Sequence, residues 1–82
     1  MARLLKADGT EAVVKPTGEK FSLKELQNLV GGLIEIVHAR GQLLIVDEEG
    51  LLKQKPYNSA ASRFSGIHIV GDAVICESGE VD

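Results

Sequence analysis

Cysteine, proline and aromatic residues are scarce in this chain. One cysteine, Cys76, excludes an intramolecular disulfide and any zinc cluster built on thiolates. His38 and His68 are the only histidines and lie far apart in sequence, so nothing in their spacing asks for a metal. With 9 Lys plus Arg against 12 Asp plus Glu, the net charge is −3. Non-specific nucleic-acid binding needs a basic field and is therefore not expected. Apolar runs are short: none, including residues 33–34 and 43–46, approaches the roughly 20 residues that span a bilayer. Residues 1–6 carry no signal-peptide apolar core and Asp8 follows at once, so a cytoplasmic, reducing location is expected.

What is present describes an ordinary folded chain. Hydrophobic residues make up 44% and charged residues 26% of 82, enough for one domain near the size at which a single core is marginal. Arg3-Leu4-Leu5-Lys6 and Ala12-Val13-Val14-Lys15 flank Asp8-Gly9-Thr10, a turn signal that predicts an opening β-hairpin. Ser22 and Glu25 form an S-x-x-E capping box. Phe21 and Leu26 supply the matching hydrophobic staple, and Gly31-Gly32 stops the turn. A helix over residues 23–30 follows.

Beyond the glycines the period becomes two. Residues 33–38 and 42–47 read as a hairpin around a three-residue loop, Ala39-Arg40-Gly41. That register puts Ile34, Ile36, His38, Gln42, Leu44 and Val46 on one face, expected to lie under the helix. Leu33, Glu35, Val37, Leu43, Ile45 and Asp47 fall on the other, whose apolar character calls for a cover such as a second copy of the chain. Residues 51–53 read as a short strand, and Asn58 as the cap of one helical turn over residues 59–64. Residues 67–70 and 73–76 read as a hairpin or one bulged closing strand.

Candidate sites are few. No serine sits in a G-x-S-x-G elbow, and Cys76 lies in an apolar stretch without a cation to activate it. Glu35, set among aliphatic residues, is the one candidate general base. The richest polar stretch is Lys53-Gln54-Lys55-Pro56-Tyr57-Asn58-Ser59 with Arg63 beyond it. Tyr57 would stack on a base, while Lys53, Lys55, Asn58, Ser59 and Arg63 would hold phosphate oxygens. Asp47-Glu48-Glu49-Gly50 is too short for a calcium loop and reads as an acidic turn. With Glu35 it forms a second candidate surface, facing a protein partner.

The ordered set Leu26-Gln27-Asn28-Leu29-Val30-Gly31-Gly32-Leu33-Ile34-Glu35-Ile36-Val37, Asp47-Glu48-Glu49-Gly50, Lys53, Pro56, Asn58 and Ile69-Val70-Gly71-Asp72-Ala73 resembles a family of small phage and mobile-element proteins, domain-of-unknown-function family three-eight-four-six. The resemblance covers roughly residues 12–76 and implies a phage, plasmid or integrated-element origin in a bacterial cytoplasm. It supplies no catalytic residues.

The expected fold is α+β: a mostly antiparallel sheet of about five strands, one capped helix and a short second helical turn. Residues 1–76 form a single compact domain and residues 77–82 an acidic tail expected to fray. The expected function is non-enzymatic binding without a cofactor, antagonising host antiviral defence by sequestering a small anionic nucleotide, with the chain as a homo-oligomer. The alternatives are an inhibitor that occludes a host defence effector, such as a CRISPR or restriction component, and a small enzyme using Glu35. A structural part in a larger assembly is a fourth.

Overall fold

The computed structural model describes residues 2–81. In chain order the elements are β1 (Ala2–Leu5), β2 (Glu11–Val14), α1 (Leu23–Val30), β3 (Ile34–Ala39), β4 (Gln42–Asp47), α2 (Ser59–Ser65), β5 (Ala73–Cys76) and a 3-10 turn, Ser78–Glu80. The strands form one antiparallel sheet in the order β2-β1-β5-β4-β3. The fold is α+β, with one helix on each face of the sheet. No helix among the described residues is long and apolar enough to cross a membrane.

Two elements form as their local sequence dictates. In the first hairpin, Asp8 accepts bonds from the Thr10 hydroxyl and amide, which hold its carboxyl below the usual range. At α1 the Ser22 hydroxyl accepts from the Glu25 amide at 3.1 Å, and the Glu25 carboxylate accepts from the Ser22 amide at 3.0 Å. Glu25 also accepts from the Thr17 amide and hydroxyl, tying the loop after β2 to the helix start. Led by the Ser22 amide, these donors hold its pKa at about 2. Gly31 ends the helix at φ 83°, where a side chain would be strained.

The β3–β4 hairpin differs from the sequence reading by one residue. Ala39 pairs with Gln42, leaving a two-residue turn of Arg40 (φ 54°) and Gly41 (φ 76°). Positive φ at both positions is the type I′ geometry, which matches strand twist better than the expected three-residue loop. Because side chains alternate, a slip of one residue turns the whole of β4 over. Leu43, Ile45 and Asp47 therefore share a face with Ile34, Ile36 and His38 beneath α1, whereas Leu44 and Val46 lie on the opposite face.

That opposite face has its own cover. Ala61 of α2 and Ile69 pack on Leu5, Leu44, Val46, Ala73 and Ile75, flanked by Val37, Ala60 and Phe64. The apolar second face is thus closed by the chain itself, and the argument for a second copy there falls away.

Three further expectations are corrected. Residues 51–53 are not a strand but part of consecutive turns, in which the Lys53 amide donates to Glu49 O and the Lys55 amide to Gly50 O. Residues 67–70 form neither half of a hairpin. They run beside the segment before α2, where Asn58 N–H donates to Ile69 O and Tyr57 bridges Val70. Only β5 closes the sheet, and its wholly apolar sequence suits a central strand buried on both faces. The tail expected to fray turns back instead: Phe21 N–H donates to Glu80 O at 2.8 Å and Phe21 bridges Val81. Asp82 lies outside the described residues.

The capping box gives a direct test. Ser22→Ala is expected to lower the unfolding free energy by about 1 kcal/mol in urea titration.

Candidate functional site

The residues singled out in the sequence do not assemble into one open pocket. Most converge on a buried junction around Asp47. This residue, 5% exposed, sits at the end of β4 beneath the C-terminus of α1. Its carboxylate receives the Lys55 ammonium at 2.6 Å, the Lys53 ammonium at 3.0 Å and the Glu49 amide at 2.8 Å. The same two lysines donate to helix carbonyls, Lys55 to Val30 O at 2.7 Å and Lys53 to Gly31 O at 3.2 Å. Helix α1 has no basic residue in its own last turn, so these lysines supply the positive charge its C-terminus favours. Gly32 permits the approach, because a Cβ there would sit 2.9 Å from the Asp47 carboxylate and closer still to Lys53.

Burial alone would raise the Asp47 pKa. The bonds from Lys55, Glu49 and Lys53 outweigh it and hold the group at about 2. An ionised, buried carboxylate with three donors is a structural anchor. Asp47 is therefore withdrawn from the acidic surface expected at this turn, leaving exposed Glu48 and half-buried Glu49. Lys53 and Lys55 are likewise already engaged.

Asn58 is also internal. Its amide nitrogen donates to Leu5 O and Gly71 O, both at 2.8 Å, and its oxygen accepts from the Ala61 amide at 3.0 Å. All three bonds are satisfied by protein, so the side chain caps α2 and fastens it to β1 rather than meeting a ligand. Tyr57 is exposed, with its ring centroid 4.9 Å from that of His68. Ser59 is exposed at the start of α2. Glu35 is exposed on β3, lining a small cleft with Val37, Glu48, Leu51 and His68.

Arg63 belongs to a different place. Helix α2 has seven residues and buries Leu5 of β1, while Arg3 at the other end of that strand stays exposed on the same face. There Arg3, Arg40 and Arg63 border a groove of about 240 Å³ whose apolar wall is Leu5, Ala60, Phe64 and Ile75. Arg3 pairs with Glu11 at 2.9 Å. The Arg40 Nε donates to Phe64 O at 2.9 Å, and its guanidinium carbon lies 5.7 Å from the centre of the Phe64 ring. Arg63 has no ion pair among the described residues. Three guanidiniums and one carboxylate thus give a local surplus of positive charge on an acidic chain. The sequence reading found Arg63 but missed Arg3, Arg40 and Phe64, which only the sheet order brings to it.

The remaining chemistry is limited. Cys76 is buried, and burial with Glu80 and Glu77 nearby pushes its thiol up to about 11, so it stays protonated at neutral pH. Among the described residues no group of three or more His, Cys, Asp or Glu is placed to hold a metal ion.

The Asp47 junction predicts an acid-sensitive stability. The folded pKa lies below the ordinary 3.8, so the stabilisation is complete above about pH 4 and is lost as pH falls toward 2. Asp47→Asn is expected to cost about 3 kcal/mol at pH 7 by urea denaturation, a gap that narrows over that acid range. Lys55, with its side chain 22% exposed, should matter more than Lys53 at 38%. We expect Lys55→Met to cost about 2 kcal/mol and Lys53→Met under about 1.

No curated protein and no solved structure matches this chain. A family model described as "Domain of unknown function (DUF3846)" matches residues 1–82. The helix end, the acidic turn and the Pro-x-Asn that carried the resemblance meet at the Asp47–Lys55 junction and at Asn58. The chain belongs to the DUF3846 family.

Proposed function

We propose that this protein is a non-enzymatic binding protein that holds a small anionic ligand of the nucleotide class in the Arg3–Arg40–Arg63 groove. The observation that carries the reading is charge segregation: three guanidiniums gather on one apolar-walled groove of a chain whose net charge is −3. Arginine forks suit phosphate geometry, and the half-buried Ala60 and Phe64 beside them offer apolar contact to a sugar or base. A groove of about 240 Å³ is smaller than the roughly 300–1,000 Å³ of usual ligand pockets. It therefore takes a compact anion or one end of a longer one.

This reading moves the ligand contacts from Lys53, Lys55 and Asn58, which are engaged internally, to the arginines. Of the residues first considered, Arg63 stays central, while Tyr57, before the helix cap, and Ser59, at the start of α2, are exposed but do not line the groove. In its fuller form the proposal places the protein in the bacterial cytoplasm as a phage or mobile-element product. There it would sequester a nucleotide signal of host antiviral defence. The motif resemblance supports that origin.

A second reading has its own observation. Leu51 and Leu52, 69% and 82% exposed, follow Glu48 and Glu49 on one turn, a mixed acidic and apolar surface suited to a protein target. Charge reversal at Glu48 and Glu49 would abolish co-purification of a host effector on this reading.

The nucleotide proposal is tested by calorimetric titration with mononucleotides, cyclic nucleotides and ADP-ribose. Binding should weaken with added salt, and Arg63→Ala or Arg40→Ala should each raise Kd about tenfold or more. Lys53→Ala should leave Kd unchanged. Absence of heat across the panel would remove the nucleotide reading.

A further inference from the structure

We infer that β3 is a dimerisation edge, pairing antiparallel with β3 of a second copy across a two-fold axis at Ile36. The sheet ends in β2 on one side and β3 on the other, and the two edges are unlike. Strand β2 has four residues, begins with Glu11 and runs directly into Lys15 and Pro16, the kind of short, charged, proline-stopped edge that resists further pairing. Strand β3 has six residues, Ile-Glu-Ile-Val-His-Ala, with neither proline, glycine nor lysine. An open edge opposite a blunted one is not explained by the fold.

The hairpin fixes which backbone groups are on offer. Antiparallel ladders alternate, and the two-residue turn makes Ala39 and Gln42 a hydrogen-bonded pair. Val37 with Leu44 and Glu35 with Val46 are the next such pairs, and the series continues as Glu48 N–H donates to Leu33 O at 2.8 Å. The N–H and C=O groups of Ile34, Ile36 and His38 therefore face away from β4, and no strand of the described residues meets them.

These three residues are centred on Ile36, and that symmetry favours a copy of the same strand. Turned about a two-fold normal to the sheet, Ile36 meets Ile36 of the second copy, while Ile34 and His38 exchange bonds with the second copy's His38 and Ile34. Every outward group finds a partner with no overhang, and each side chain stays on its own face. Ile36, 42% exposed on an edge strand, gains an identical aliphatic neighbour. Leu33 and Leu51, exposed at the margin of β3, extend the apolar rim to be covered. A chain of 82 residues is near the lower limit for one core and gains from enlarging it. The result is a ten-stranded sheet with both arginine grooves open.

Sedimentation velocity of the full chain, with and without Ile36→Lys and Val13→Lys, tests this. The expected result is a dimer for the parent and for Val13→Lys, on the other edge, and a monomer with unchanged circular dichroism for Ile36→Lys. Amide exchange provides a measure that needs no variant: Ile34, Ile36 and His38 should be protected in concentrated protein and exchange rapidly on dilution. A parent that sediments as a monomer at high concentration, or fast exchange of these three amides in a dimer, would overturn the inference. So would a monomer that instead accepts a foreign strand at β3. None of these outcomes depends on whether a nucleotide binds.

Discussion

A carboxylate with no exposed side-chain surface ties the end of helix α1 to β4 and to the turns that follow it. Asp47 ends β4, Lys53 and Lys55 arrive from the turns beyond it, and both lysines reach the last carbonyls of α1. One ion cluster thereby fixes helix to sheet and folds residues 48–57 back on themselves. Removing the lysines would leave the Asp47 carboxylate, whose side chain has no exposed surface, without its counter-charge. The exposed Leu51 and Leu52 are a consequence: the turns that deliver the two lysines carry the intervening leucines outward.

The second constraint is Asn58. By bonding Leu5 O, Gly71 O and the Ala61 amide, it pins α2 to the sheet face that α1 does not reach. Two helices on opposite faces let β5 be apolar throughout. They also shape the candidate site, because seven residues of α2 cannot cover five strands. Beside the exposed Arg3 end of β1, Arg3, Arg40 and Arg63 border a groove that Phe64 helps to wall.

Charge takes on a different meaning once the structure is in view. The lysines that look like a phosphate site along the chain neutralise a buried acid. The arginines, scattered through the sequence and unremarked apart from Arg63, form the only three-arginine groove seen among the described residues. If binding and self-pairing both operate, they do so on separate parts of the sheet, the groove near β1 and the edge at β3. A dimer would then carry two ligand sites that face solvent independently.

The sequence by itself determined the elements whose defining interactions span a few residues. The Asp8 turn, the Ser22–Glu25 box, the Gly31 stop and the Asn58 cap each satisfy local backbone donors or acceptors, so their residues announce them. The α+β class and a sheet of about five strands followed from the turn signals and the change in period. Tertiary structure decided the facing of β4, because Arg40 adopts a left-handed conformation that alternation alone does not reveal. It also decided the cover of the second sheet face, the burial of Asp47 and the meeting of residues 3, 40 and 63. Those outcomes depend on which strand lies beside which, and contacts between residues tens of positions apart leave no local pattern in the chain.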